Sequence, residues 1–294
     1  MRSENVRKEK ISFIGTGVMG SSIIKHLLNA SYEVTVFTRT KKKAEPLVAL
    51  GAKWADNVAE AIQDADIIFT MIGMPSDVEE VYLSNQGIFA NGRPSQIVVD
   101  MTTSSPELAI AIAEKAASLQ MNSLDAPVSG GDIGARNGTL SIMCGGQKEL
   151  FEKVLPILSV FGKQIVYQGQ AGAGQHAKMC NQITVAGNMI GACEAIAYAM
   201  KSGLDPDTML QSVTSGAANS FSLSDLGPRI INENYEPGFY VKHFVKDLNI
   251  ALQETERLNL KLPGLQLARD MYTELLAKGY GENGTQVLIK KYIE

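Results

Sequence analysis

Only one tryptophan and three cysteines occur in this chain of 294 residues, and neither sign of charge dominates, with 27 basic against 31 acidic side chains and a formal net charge of −4. A nucleic-acid backbone is bound through clustered positive charge that displaces condensed counterions, so this balance excludes a broad nucleic-acid surface. Cys144, Cys180 and Cys193 are odd in number and widely spaced, with no CxxC pair. That excludes a disulfide framework, and reduced thiols in a cytoplasmic protein are the expectation. His26, His176 and His243 match neither a metal-ligand nor a Ser/His/Asp spacing, so no metal is expected. The start, Met1 to Lys10, is polar, and no later segment offers about 18 uninterrupted apolar residues, so no membrane partner is expected either.

What is present is an ordinary globular composition, 45% hydrophobic and 20% charged, long enough for two domains at roughly 150 residues each. Apolar strand-like runs recur at Ile11 to Gly15, Glu33 to Phe37, Asp66 to Ile72, Gln96 to Asp100, Asn122 to Ala126, Thr139 to Cys144 and Gln164 to Tyr167, separated by segments of helical periodicity. This alternation predicts an α/β Rossmann domain, a mostly parallel doubly wound sheet, over residues 1–168. Glycine-rich Gly169 to Gly174 marks a boundary. Beyond it, Gln175 to Lys201 reads as one helix of about seven turns and no β-run follows, which predicts an all-α domain over residues 169–294 and makes the long helix one wall of an interdomain cleft.

Gly15-Thr16-Gly17-Val18-Met19-Gly20 is a GxGxxG between an apolar strand and a helix. In that setting Gly15 permits the tight turn, Gly17 lets the backbone approach a dinucleotide pyrophosphate, and Gly20 permits close helix packing. After the second strand comes Thr38-Arg39-Thr40, with no carboxylate for the ribose hydroxyls of NAD. Arg39, helped by the hydroxyls of Thr38 and Thr40, suits the 2′-phosphate of NADP, with NAD still possible; the alternative is that Arg39 and Lys41 to Lys43 form a solvated charge run. Ser129, Gly130 and Gly131 follow a strand and make a nest of donors for a carboxylate, or simply a turn. Lys178, Asn181 and Gln182 stand at i, i+3 and i+4 of the long helix and can meet one ligand, with Lys178 as proton donor to a developing alkoxide or, on spacing alone, as an exposed helix lysine.

Gly15-x-Gly17-x-x-Gly20, Asp100-Met-Thr-Thr103-Ser-Ser-Pro106, Asp125-Ala-Pro-Val-Ser129-Gly130-Gly131, Gly172-x-Gly174-x-x-x-Lys178-x-x-Asn181 and Lys246-Asp247-Leu248, in this order, resemble the β-hydroxyacid dehydrogenase family across nearly the whole chain. The resemblance implies that Lys178 is the catalytic acid/base, that Asn181 helps hold substrate, and that Ser129, Gly130 and Gly131 bind the substrate carboxylate. It implies that Thr103 and Lys246 touch cofactor, that Met71, Ile72 and Gly73 border the nicotinamide pocket, that Asp247 supports the Lys178 region, and that Phe239 closes the cleft. It further implies a homodimer or homotetramer. Two positions depart from the pattern: Gln182 stands where some members have a second Asn, and Gly73 interrupts a loop that often reads Leu-Pro or Val-Pro. The expected activity is NADP-preferring interconversion of a small carboxylate-bearing β-hydroxyacid and its semialdehyde, with hydride passing to or from the cofactor. Its rivals are a non-catalytic NADP-binding sensor or interaction module and an imine reductase-like enzyme.

Overall fold

The structure, a computed structural model, describes residues 8–293. The chain divides after Lys178 into two compact units, and helix Ala173–Ser202 runs through the division.

Among the described residues of the first unit nine strands form one sheet: β1 Ile11–Ile14, β2 Val34–Phe37, β3 Lys53–Trp54, β4 Ile67–Thr70, β5 Ile97–Asp100, β6 Asn122–Asp125, β7 Val128–Ser129, β8 Leu140–Gly146 and β9 Gly162–Gly169. Their spatial order is β3-β2-β1-β4-β5-β6-β8-β7, with β9 on β8. Strands β1 to β6 pair in parallel, β8 runs antiparallel to β6 and β7, and β9 returns parallel to β8. This is the doubly wound sheet expected, whose order reverses at β1 and β4 and so leaves a crevice at their carboxyl ends. Strands β3 and β7 are absent from the sequence reading; with two residues each they are too short to show alternation.

All four residues of β1, β4 and β5 are buried because both faces of the sheet are covered. Successive side chains point to opposite faces. Ile11, Phe13, Phe69 and Val99 therefore pack on Ile23, Ile24 and Leu27 of helix Val18–Asn29, while Ile14, Ile68 and Val98 share the other face with Tyr82, Phe89 and Ile112. Each such large side chain contributes roughly 1.5–3 kcal/mol on burial.

In the second unit no strand follows β9 among the described residues, and one isolated bridge pairs Tyr240 with Gly284. Its core joins Met189 and Ile196 of the long helix to Phe244 and Leu248 of helix Val241–Arg257 and to Tyr272 and Leu275 of helix Pro263–Ala277. The long helix has the length and apolar character of a membrane span. Its buried Gln175, Lys178 and Gln182, however, each hydrogen bond to protein groups, as in the core helix of a folded domain.

Candidate active site

The turn after β1 is built by close approach. Gly15 has φ +106°, a left-handed conformation that an L side chain rarely adopts, and a Cβ there would collide with the Met71 carbonyl after β4. A Cβ on Gly20 would likewise collide with the Gly15 carbonyl, so this glycine is needed for packing of the helix on the turn. Gly17 differs: it faces open space, and as N-cap of helix Val18–Asn29 it offers no side-chain cap to the helix N–H groups. Thr16 beside it is 3% exposed, yet its Oγ1 has no hydrogen-bond partner. An uncapped helix N-terminus, an orphaned buried hydroxyl and clear space over Gly17 fit a dinucleotide pyrophosphate. Val18 is exposed and Met19 packs against the core.

After β2, Thr38 is half-buried and Arg39 and Thr40 are exposed. Arg39 bonds to Asp77 Oδ1 at 3.1 Å, and Asp77 Oδ2 also caps the backbone N–H of Met74. Lys41 lies over the Trp54 ring.

The ends of β4, β5 and β6 are joined by a buried network. Thr70 Oγ1 donates to Asp100 Oδ1 at 2.7 Å and lies 2.9 Å from the Tyr82 hydroxyl; Asp100 Oδ1 also accepts the Thr102 N–H. Burial pushes the Asp100 carboxyl up to about 6, against these bonds, which pull it down. Thr102 Oγ1 accepts the Ile72 N–H at 3.1 Å, fixing the loop of Met71, Ile72 and Gly73 to the end of β5, where Thr103 is half-buried. In register with Asp100 stands Asp125, which clasps the long helix: its Oδ1 accepts from Gly172 N at 2.8 Å and its Oδ2 from Gln175 N at 2.9 Å. Burial raises the Asp125 carboxyl above its usual range, and the backbone N–H groups moderate the rise. Gln175 answers by donating Nε2 to Thr102 O and accepting the Ser104 N–H at Oε1.

Three residues beyond Gln175, Lys178 is 7% exposed and its Nζ donates to Val128 O at 2.9 Å. It is no surface lysine. Val128 and Ser129 form β7, and Gly130, at φ +122°, turns the chain into the short helix Gly131–Asn137. Lys178 and the Ser129-Gly130-Gly131 turn are thus brought together.

In the second unit Asn181 Nδ2 donates to Gln182 Oε1 at 2.7 Å, and Gln182 Nε2 donates to Asp247 Oδ2 at 2.5 Å. Lys246 Nζ lies 2.7 Å from Asp247 Oδ1, an ion-pair distance though off the line of a hydrogen bond. His243, one turn earlier, is held below its ordinary pKa by burial and by Lys246 and Lys242. Phe239 is half-buried and packs edge-on to Phe244, ring centroids 5.5 Å apart. Sequence reasoning did not single out Gln175, Thr102, Thr70, Tyr82 or Asp77. Asp77 alone carried a signal, an acidic residue at the third position of a helix that opens with Pro75, where capping side chains recur.

Known proteins share this architecture. Residues 10–169 match the family model of the NAD binding domain of 6-phosphogluconate dehydrogenase, and residues 172–292 match the NAD-binding model of NADP-dependent 3-hydroxyisobutyrate dehydrogenase. The uncharacterized oxidoreductase YkwC of Bacillus subtilis is 54% identical over 98% of this chain and 100% of its own length. A probable 3-hydroxyisobutyrate dehydrogenase-like protein of Arabidopsis thaliana is 47% identical over 95% of this chain and 84% of its own length. Among solved structures, 3-hydroxyisobutyrate dehydrogenase of Mycobacterium tuberculosis with L-serine superposes with a TM-score of 0.88 at 29% identity, over 97% of this chain and 99% of that one. The chain belongs to the β-hydroxyacid dehydrogenase family of NAD(P)-dependent oxidoreductases, which act on CH–OH groups.

Proposed function

We propose that this chain is an NADP-preferring enzyme that interconverts a small β-hydroxyacid and its semialdehyde, with Lys178 holding the proton exchanged with the substrate oxygen. The observation that carries this reading is the buried Lys178 ammonium, tied to Val128 O at 2.9 Å on the strand that leads into Ser129, Gly130 and Gly131. A dinucleotide whose pyrophosphate is held at the Gly15 to Gly20 turn would supply or accept the hydride through its nicotinamide. In reduction, Lys178 Nζ gives a proton to the carbonyl oxygen as negative charge develops there, and in oxidation it takes the proton back. The Val128 carbonyl fixes Nζ in place, so little freedom is lost when substrate arrives. The Ser129 hydroxyl and the N–H groups of Gly130 and Gly131 hold the substrate carboxylate, and Asn181, one turn after Lys178 on the same helix, holds substrate with Gln182 and Asp247 behind it. Met71, Ile72, Gly73 and Thr103, at the ends of β4 and β5, would line the cofactor.

The preference for NADP is supported by the chain after β2, where Arg39, Thr38 and Thr40 stand and no carboxylate does. The substrate class is supported by the relatives: L-serine, found with the Mycobacterium tuberculosis enzyme, carries a hydroxyl β to its carboxylate, as 3-hydroxyisobutyrate does. The test is NADPH oxidation with glyoxylate and with the semialdehydes of succinate, tartronate and methylmalonate, and NADP reduction with L-serine and 3-hydroxyisobutyrate, each repeated with NADH or NAD. Turnover of at least one compound, with the phosphorylated cofactor favoured about tenfold or more, is expected. Tight NADPH binding without turnover would instead favour a non-catalytic nucleotide-binding module.

A further inference from the structure

We infer that Gln182 is a positioning residue which, oriented by Asp247, decides which end of the Asn181 amide is offered to substrate; this rests on Asn181 touching substrate, as proposed above. The nitrogen and oxygen ends of an amide are nearly alike in shape, so hydrogen-bond partners decide which way it faces. Here the decision begins at Asp247, 1% exposed, whose carboxylate only accepts. Gln182, 2% exposed, must therefore turn its NH2 to Asp247, at 2.5 Å, and its carbonyl to Asn181. Asn181 must in turn spend one N–H on that carbonyl, at 2.7 Å. Donation thus runs one way, from Asn181 to Gln182 to Asp247, with the Lys246 ammonium beside the far oxygen of the acid.

Outside this relay Asn181 is left with its Oδ1 and its second N–H, a fixed pair of one acceptor and one donor. With Gln182 reversed, Asn181 would turn Oδ1 inward and offer only two N–H donors. An asparagine at position 182 would be one methylene shorter between the same two partners.

A double-mutant cycle in the full-length enzyme tests the inference, using the best substrate of the panel above and comparing Asn181→Ala, Gln182→Leu and the pair. If Gln182 acts through Asn181, each single change raises KM about tenfold with kcat within about threefold, and the pair also raises KM about tenfold. A pair near a hundredfold, or a Gln182→Leu enzyme with unchanged KM, overturns the inference. An Asn181→Ala enzyme with unchanged KM removes its premise, and does so separately from any failure of Lys178 or of cofactor choice. Gln182→Glu gives a second readout should the leucine variant not fold. Protonated, that glutamate donates to Asp247 and accepts from Asn181, restoring the native order; ionised, it donates nothing and faces the Asp247 charge. The groups around it are Asp247, Lys246, His243 one turn before Lys246, and Lys178 one turn earlier on its own helix. The ratio of its KM to that of the wild type falls at least fivefold from pH 8 to pH 5.5 in our account, on the order of one lost hydrogen bond; a flat ratio overturns the inference.

Discussion

Replacing Asp125 by alanine removes the clasp that holds the start of the long helix on the sheet. Asp125 is 3% exposed and accepts from Gly172 N at 2.8 Å and from Gln175 N at 2.9 Å. Hydrogen bonds to a charged group contribute about 1.5–3 kcal/mol each, and negative charge at a helix N-terminus adds about 0.3–1 kcal/mol. The sum is about 3–7 kcal/mol, and because burial raises the Asp125 carboxyl the lower part of that range applies. A loss of about 3–4 kcal/mol is the expectation, a large share of the roughly 5–15 kcal/mol that holds an ordinary domain together. Asp125→Asn, which keeps one acceptor oxygen, should lose about half as much. The single tryptophan, Trp54, lies in β3, so its fluorescence reports unfolding of the first unit separately from the second. At about 1–3 kcal/mol per molar urea, the midpoint of the alanine variant should fall by about 1–4 M. A midpoint within about 0.3 M of wild type would refute the anchoring role.

Gly17→Ala and Gly20→Ala should separate two kinds of glycine: the first meets no atom and should fold with a Tm within about 2 °C of wild type while NADPH binding weakens about tenfold or more, whereas the second drives a Cβ into the Gly15 carbonyl and should lower Tm by about 8 °C or more. Calorimetry and fluorescence titration check both, and equal effects on both would count against Gly17 as the place of the pyrophosphate. Arg39→Ala should cut kcat/KM for NADPH about tenfold and leave NADH within about twofold, and a parallel loss with both cofactors would remove Arg39 from the 2′-phosphate. Asp100 should make the first unit less stable as pH rises from about 4 to 6. Its folded carboxyl keeps a proton up to about 6 that the unfolded chain releases near 3.8, so about 3 kcal/mol is lost across that window. Asp100→Asn, which cannot ionise and keeps the acceptor for Thr70 and Thr102, should abolish that slope; parallel pH profiles of Trp54 unfolding in the two proteins would refute the assignment.

The cofactor turn is legible in the chain because its requirement is steric and local: Gly15 and Gly20 must approach other backbone, and only glycine does so. The long helix is legible because some seven turns of mostly apolar and small residues run on without a proline. The clasp is not, since Asp125 and the Gly172 to Gln175 turn lie some fifty residues apart and meet only once β6 is laid beside β5. The same holds for Tyr82, Thr70 and Asp100, which look like ordinary core and strand-end residues until the sheet order brings them into one buried chain. Lys178 was open to two readings on spacing alone, and its burial against Val128 O decides against an exposed lysine. Arg39 follows β2, and its hydrogen bond to Asp77 has no signature in sequence, because the partner sits in the first turn of helix Pro75–Leu83, beyond β4. His26, which spacing leaves as a packing or surface residue, reaches the carbonyls of Ala135 and Arg136 at 3.0 Å and so stays structural.

The most direct test of the account is the turnover of Lys178→Met with NADPH and the best aldehyde of the panel, measured beside its affinity for NADPH. Methionine, one atom shorter and unbranched, keeps most of the packing of the lysine and removes the proton. A kcat reduced by about 10²–10⁴ with NADPH affinity within about twofold of wild type is expected. A variant that keeps kcat within about fivefold would contradict it and move the proton to another group.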